Sequence, residues 1–238
     1  MPDSKSNNAA IDAKRDIRIS KSLAKLLRHN AKSEGLSIDS DGYVPLSEII
    51  SHNYMKTNHA TIDDIMRIVE TNSKKRFKLK QTGAHSYHIC ALQGHSIPSI
   101  AYGQSENLAP IVDTWPKFIV HGTYVEKLPL IIESGGLSKM SRNHIHFTFA
   151  IPAKFAKYVS NSDDDIGGTV ISGIRSSCNC LIVMDVEKLK GSNLPFFQSK
   201  NGVILSPGDQ NGFISTDFIE KIIDHKRGDI TKSILSGK

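Results

Sequence analysis

The period of the apolar residues changes near residue 77, and that change limits the possible folds more than any other feature. Before it, Ile19, Leu23, Leu26 and Leu27 recur at i, i+4, i+7 and i+8, one stripe of an amphipathic helix. At Phe77-Lys78-Leu79-Lys80 the pattern becomes strict alternation, the period of a half-buried strand. Further on, Leu181-Ile182-Val183-Met184-Asp185-Val186 and Gly202-Val203-Ile204-Leu205 are short and nearly continuous apolar runs, as in strands buried on both faces. Helices collected at one end and strands at the other predict an α+β chain.

The first half divides further. The stripe begins near Arg15, and Gly35 suits the end of that helix as a C-terminal cap. At about 100° per residue, Arg28 and His29 fall on the two flanks of the stripe, where a ligand can reach them. Asp39-Ser40-Asp41-Gly42 is a turn, Tyr43-Val44 is extended, and Pro45 suits the first position of a helix carrying Leu46, Ile49 and Ile50. Thr61 with Asp64 is a capping-box pattern that starts a third helix through Ile65, Ile68 and Val69. Lys74-Lys75-Arg76 leads into a hairpin from Phe77 to Ala91 that turns at Gly83-Ala84. Three helices followed by a hairpin describe a winged-helix lobe, an order found in nucleic-acid binders and in protein-contact modules alike.

The expected organisation is a disordered tail over 1–14, the winged-helix lobe over 15–100, a turn-rich linker over 101–116, a second lobe over 117–225 and a C-terminal tail over 226–238. In the second lobe Phe118-Ile119-Val120 reads as a strand that ends at His121-Gly122-Thr123. A helix through Val125, Leu128, Ile131 and Ile132 stops at Gly135-Gly136. Asp163-Asp164-Asp165 reads as a solvated loop, and several strands with few helices suggest a split β-sheet.

Ser141-Arg142-Asn143-His144-Ile145-His146-Phe147-Thr148 carries the chemistry. Read as a strand, it sets Arg142, His144 and His146 on one face and Ile145 and Phe147 on the other. With no acid nearby, the polar face suits an anion, and the pairs Arg28-His29 and Lys75-Arg76 repeat the theme. A guanidinium grips phosphate with a bidentate fork and keeps its charge. Such groups stabilise the charge of a phosphoryl-transfer transition state or orient a phosphate as a nucleophile; the residues alone do not choose between these.

Composition narrows the classes. Among 238 residues, 30 Lys and Arg against 24 Asp and Glu leave a net charge of +6, which fits a polyanionic partner. No apolar run reaches the roughly 20 residues of a membrane span, and the polar start lacks the apolar core of a signal peptide. An intracellular location, cytoplasmic or nuclear, is expected. Cys90, Cys178 and Cys180 are an odd count without zinc spacing, so neither a disulfide framework nor a metal is expected. There is no Gly-rich nucleotide loop, and the candidate constellation lacks a carboxylate pair and a Ser/Cys–His triad signature.

Seven segments occur in order: Ser22–Asn30 (SLAKLLRHN), Asp39–Leu46 (DSDGYVPL), Lys75-Arg76-Phe77, Gln93–Ser96 (QGHS), His121–Thr123 (HGT), Ser141–Phe147 (SRNHIHF) and Gly173–Ser177 (GIRSS). Together they resemble the RNA 2′-phosphotransferase family, its fungal members above all, over residues 15–225. The resemblance implies a winged-helix RNA lobe and an ADP-ribosyltransferase-like lobe that binds NAD. The implied activity removes the splice-junction 2′-phosphate of ligated tRNA, the last step of tRNA splicing. The RNA 2′-phosphate attacks C1″ of the NAD ribose and expels nicotinamide. O2″ then attacks phosphorus, which leaves 2′-OH RNA and ADP-ribose 1″,2″-cyclic phosphate, with no metal.

By the same resemblance the catalytic residues are Arg28, His29, Arg76 and Arg142. The cofactor-binding residues are His121, Gly122, Thr123, Ser138, Ser141, His144 and His146. Lys74, Lys75, Gln93, His95, Ser96 and Arg175 are expected on RNA or its phosphate. The expected partners are NAD and RNA with an internal 2′-phosphate, bound by a monomer away from membranes. Cys90-Ala91-Leu92 departs from the Arg-Ala-Asn of many bacterial members, and segments 161–168 and 206–212 match no family pattern. Two other readings remain open at this point: an ADP-ribosyltransferase that modifies nucleic-acid phosphate ends, and a non-catalytic winged-helix RNA binder.

Overall fold

The computed structural model describes residues 4–100, 106–160 and 171–236, with side chains from residue 13 onward. The chain divides into two compact units, Met1–Ser105 and Glu106–Lys238. Both mix helices with small antiparallel sheets, so the class is α+β.

In the first unit α1 spans Ser4–Lys25 and runs on into a π-helical turn, Leu26–Asn30. Residues 4–14, expected as a tail, are therefore helical. Once the buried stripe has nucleated a helix, each added residue gains a hydrogen bond at little cost, and Ala9, Ala10 and Ala13 favour it. The stripe is as expected, with Ile19, Leu23, Leu26 and Leu27 all 0% exposed. The helix ends at Asn30, because the ladder slips to the wider pattern in which the Ala31 amide donates to the Leu26 carbonyl (2.8 Å). Gly35, at φ 73°, closes the turn that follows.

Strand β1 (Val44–Pro45) precedes α2 (Leu46–Ser51), α3 (Asn53–Lys56) and α4 (Ile62–Thr71). The capping box forms: Thr61 Oγ1 accepts from the Asp64 amide at 3.1 Å, and Asp64 Oδ2 accepts from the Thr61 amide at 2.9 Å. Arg15 adds a fork onto the same carboxylate and holds its pKa far below the usual range. Strands β2 (Phe77–Gly83) and β3 (Ser86–Ala91) make the hairpin, and β1 pairs with β3 to give the order β1-β3-β2. Helices and hairpin close on one core through Leu27, Ile49, Ile65, Phe77 and Ile89.

The second unit begins earlier than expected. Strand β4 (Leu108–Pro110) lies in the segment 101–116 predicted as linker, yet it pairs with β9 (Phe197–Ser199), and Trp115 packs on Phe196. Residues 101–105 of that segment lie outside the described residues. Strand β5 (Val120–Thr123) ends with His121-Gly122-Thr123 as expected, but starts at Val120 rather than Phe118. Helix α5 (Leu128–Glu133), strand β6 (Gly136–Ser138) and strand β7 (Ile145–Phe147) follow. Next come α6 (Ala156–Val159), β8 (Cys180–Met184), α7 (Val186–Lys190), β10 (Ile204–Ser206), β11 (Phe213–Ser215) and β12 (Ile219–Asp224).

The C-terminal segment expected as a tail is partly structured. Strand β13 (Gly228–Asp229) pairs with β12, and Ile230 is buried just before α8 (Thr231–Leu235), because its side chain completes the core. The run 163–165, read as a loop, lies outside the described residues.

Two four-stranded sheets, β4-β9-β10-β7 and β13-β12-β8-β5, carry the second unit, with a two-stranded pair β11-β6 beside them. A bridge between Val120 and Thr148 joins β5 to the end of β7, each amide donating to the other's carbonyl at 2.8 and 2.9 Å. The apolar run in β8 follows from its place between two cores: Ile182 and Met184 enter one, Leu181 and Val183 the other. Among the described residues no helix is long and apolar enough to cross a membrane.

Candidate functional site

The first unit presents a cleft of about 400 Å³ that brings Arg28 and Arg76 together. Arg28 stands on the π turn, a device that re-aims side chains and is frequent at functional sites. Gly94 of the QGHS segment lies against its guanidinium, and a Cβ built there would sit 3.3 Å from Arg28 Nε. Gly94 also has φ 91°, so this position needs glycine twice over. The Ser96 amide donates to the Arg28 carbonyl (2.9 Å), and Ser96 Oγ bonds His29 Nδ1 (2.9 Å). His95 packs against Gly42 of the Asp39–Gly42 turn. The QGHS segment thus holds the Arg-His pair in place.

Arg76 is steadied by Asn72, whose Oδ1 accepts from its amide and its Nη1 at 3.3 Å each. Burial pushes the Arg76 pKa down from its ordinary value. Ser20, Lys21, Asn72 and Ser73 also line this cleft, and sequence reasoning did not single them out. The signal was present: Lys21 lies seven residues before Arg28, on the same helix face, and Asn72 lies four before Arg76. Lys75 goes elsewhere, with φ 45° and its Nζ donating to the Glu70 carbonyl (3.1 Å) at the end of α4. Lys74 and Gln93 do not line this cleft. Cys90, Ala91 and Leu92 are buried, so the departure from the bacterial pattern faces the core.

The second unit has its own cleft, about 410 Å³, lined by His121, Gly122, Thr123, Ser138, Ser141, Arg142, His144, His146 and Arg175. The whole set expected at the cofactor therefore converges. The predicted strand over Ser141–Thr148 is shorter, Ile145–Phe147, and is buried on both faces rather than one. Met140 at φ 55° and the Arg142 amide donating to the Lys139 carbonyl (3.1 Å) close a turn, so the chain becomes extended only at Ile145. Pairing with β10 then covers it, and His144 and His146 are 8% and 7% exposed.

His121 Nδ1 donates to the His146 carbonyl at 2.9 Å, which leaves Nε2 as the acceptor of the neutral ring. Burial pushes the His121 pKa down, partly opposed by that bond. The His144 pKa is pushed down to about 4, by burial first and by the Lys139 charge second. Gly122 packs face to face with Ile174; a Cβ would come within 2.9 Å of the Ile174 Cβ. Arg175, expected on RNA or its phosphate, lines this cleft too. Burial first, then the charge of Arg175, pushes the Arg142 pKa down. Tyr124, Lys127, Lys139 and Met140 also line it and were not singled out from the sequence, although Tyr124 follows HGT directly and Lys139-Met140 precede SRNH.

Among the described residues the second cleft has four cations, Lys127, Lys139, Arg142 and Arg175, and no acid. No group of three His, Cys, Asp or Glu among them is placed to hold a metal. An α+β chain whose second cleft gathers four cations with no acid in its lining suits phosphate, held by position and charge.

Comparison with known proteins gives this class its family. Residues 14–208 match the RNA 2′-phosphotransferase, Tpt1 / KptA family. The tRNA 2′-phosphotransferase of Saccharomyces cerevisiae is 42% identical over 93% of this chain and 92% of its own. The tRNA 2′-phosphotransferase 1 of Danio rerio is 36% identical, with 87% and 85% covered, and that of Homo sapiens 34%, with 88% and 76% covered. The chain belongs to the RNA 2′-phosphotransferase family and is a transferase.

Proposed function

We propose that this protein moves the internal 2′-phosphate of spliced tRNA onto NAD. In this reading the first unit is a winged helix that grips RNA, supported by its helices followed by the sheet β1-β3-β2. The second is an ADP-ribosyltransferase-like lobe, supported by two small sheets joined at Val120 and Thr148. The observation that carries the reading is the convergence of His121, Ser138, Ser141, Arg142, His144 and His146 on one cleft.

The residues present fit NAD. The cleft volume lies within the range of small-molecule sites, and its cations match a diphosphate. When bound, NAD supplies an electrophilic ribose carbon and a neighbouring hydroxyl that takes the phosphate. Neutral His121 accepts a ribose hydroxyl at Nε2, held in the right tautomer by the His146 carbonyl. Ser138 and Ser141 offer hydroxyls, and Arg142 and Arg175 offer forks for phosphate oxygens. Arg28 and Arg76 bind and orient the RNA 2′-phosphate in the first cleft, with His29 set by Ser96.

The direct test is incubation with NAD and a 2′-phosphorylated RNA oligonucleotide, followed by product identification. The expected products are 2′-OH RNA and a cyclic phosphate of ADP-ribose. A stable ADP-ribosylated RNA points instead to an ADP-ribosyltransferase, and no NAD consumption to a non-catalytic binder. Two further outcomes are expected. RNA affinity falls linearly with salt on a log–log plot, because neutralised phosphates release counterions; a flat response contradicts RNA gripping by charge. His121→Ala raises the KM for NAD and leaves RNA affinity unchanged; equal loss of both in a folded variant contradicts the assignment of ligands to units.

A further inference from the structure

The segment 206–212 matched no family pattern, and its place in the second unit gives it a task. Its turn is tightly made. Asp209 Oδ1 accepts from the amides of Asn211 and Phe213, both at 2.9 Å, and the Gly212 amide donates to the Asp209 carbonyl at 2.9 Å. The register Phe213↔Ser138 and Ile214↔Leu137 between β11 and β6 places this turn beside Lys139. The Lys139 amide donates to the Gly212 carbonyl at 3.0 Å. Over Gly212 lies the stem of Lys139: a Cβ added there would meet its Cε at 2.6 Å and its Cδ and Cγ at 2.9 Å. Gly212 has φ 81°, so both its conformation and its bareness serve this contact.

A lysine is normally a loose point charge on a flexible stem, and ordering it costs rotamer entropy. Here the stem is laid on a bare backbone, so that cost is met on folding rather than on binding, and the side chain lines a cleft without an acid. The charge of Lys139 is felt at His144, which lines the same cleft.

We propose that Lys139, positioned by Gly212 and the 206–212 turn, binds the diphosphate of the dinucleotide co-substrate. This rests on the reading of the second cleft as the NAD site. A phosphate oxygen is the chemistry recognised, and the alternative source of it is the RNA 2′-phosphate.

The probe is ADP-ribose, which carries the diphosphate and does not react, with a 2′-phosphorylated RNA oligonucleotide as the second ligand. Lys139→Met, which keeps the stem and removes the charge, weakens ADP-ribose binding roughly tenfold, the usual worth of a charge-assisted contact, and leaves RNA affinity unchanged. Gly212→Asn tolerates the left-handed backbone but fills the space under the stem, so it weakens ADP-ribose binding by a similar factor. The double variant binds no worse than either single one, because both remove the same contact. Unchanged ADP-ribose affinity in Lys139→Met, or a loss confined to RNA, overturns the proposal. A normal Gly212→Asn beside a weakened Lys139→Met overturns the positioning role, and additive losses do the same. Failure of the underlying NAD reading is separate: His121→Ala would then also bind ADP-ribose as the unaltered protein does.

Discussion

Arg76→Ala lowers the rate of cyclic-phosphate formation by roughly 10²–10³, the cost of removing one donor aimed at developing charge. In the proposed reaction charge would gather on the phosphoryl oxygens as the phosphate is passed on, and a guanidinium held by Asn72 would meet it without reorganising. The loss falls on the second step, so a phosphate-linked RNA adduct accumulates in a time course with labelled 2′-phosphate RNA. Arg28→Ala, which disturbs orientation of the attacking phosphate, slows consumption of substrate instead and builds up no adduct. Arg76→Lys recovers little, because an ammonium lacks the planar fork. Slow substrate loss without adduct in Arg76→Ala assigns Arg76 to the first step. A lowered melting temperature equal to that of a core variant would assign it to the fold rather than the chemistry.

The second large effect is on stability. His144 has its pKa pushed down to about 4 in the folded chain, against 6.5 ordinarily. As pH falls below about 6.5 the unfolded chain takes up a proton that the folded chain refuses, so folding loses stability. The loss continues until pH reaches about 4 and then levels off. By pH 5 it amounts to about 2 kcal/mol, read as the shift in urea midpoint multiplied by the unfolding slope. His144→Gln removes this contribution while keeping a polar side chain, so its stability between pH 7 and pH 5 follows a shallower line. Parallel lines for the two proteins would mean that His144 is protonated as readily in the fold as outside it. Above pH 7 the group is neutral in both states and the two lines run together in slope.

What could be read from residues close in sequence was read well. The stripe Ile19, Leu23, Leu26 and Leu27 is wholly buried, Thr61 and Asp64 cap α4, and Phe77 opens the hairpin. Each depends on contacts within a turn or two of chain, where side-chain period and capping chemistry act directly. The candidate residues of the second cleft were also named in advance, because their residue types are unusual wherever they stand. The set expected at the cofactor was grouped by the family resemblance, and it converges. Arg175, expected on RNA or its phosphate, joins that same cleft, because a loop's destination depends on what packs beneath it, here Gly122 against Ile174.

By itself the sequence determined the α+β class, the buried stripe of α1, the helices α2 and α4 and the chemistry available, since period, caps and side-chain charge belong to the chain locally. Only the tertiary structure decided that residues 108–110 are a strand, because β4 exists by pairing with β9 some ninety residues later. It alone shortened the strand after Ser141, where the turn at Met140 competes with extension. It also gave segment 206–212 a role, since laying Gly212 under Lys139 requires the pairing of β6 with β11. Such pairings bring together groups far apart in the chain, and their register comes from shared burial, which no single segment contains.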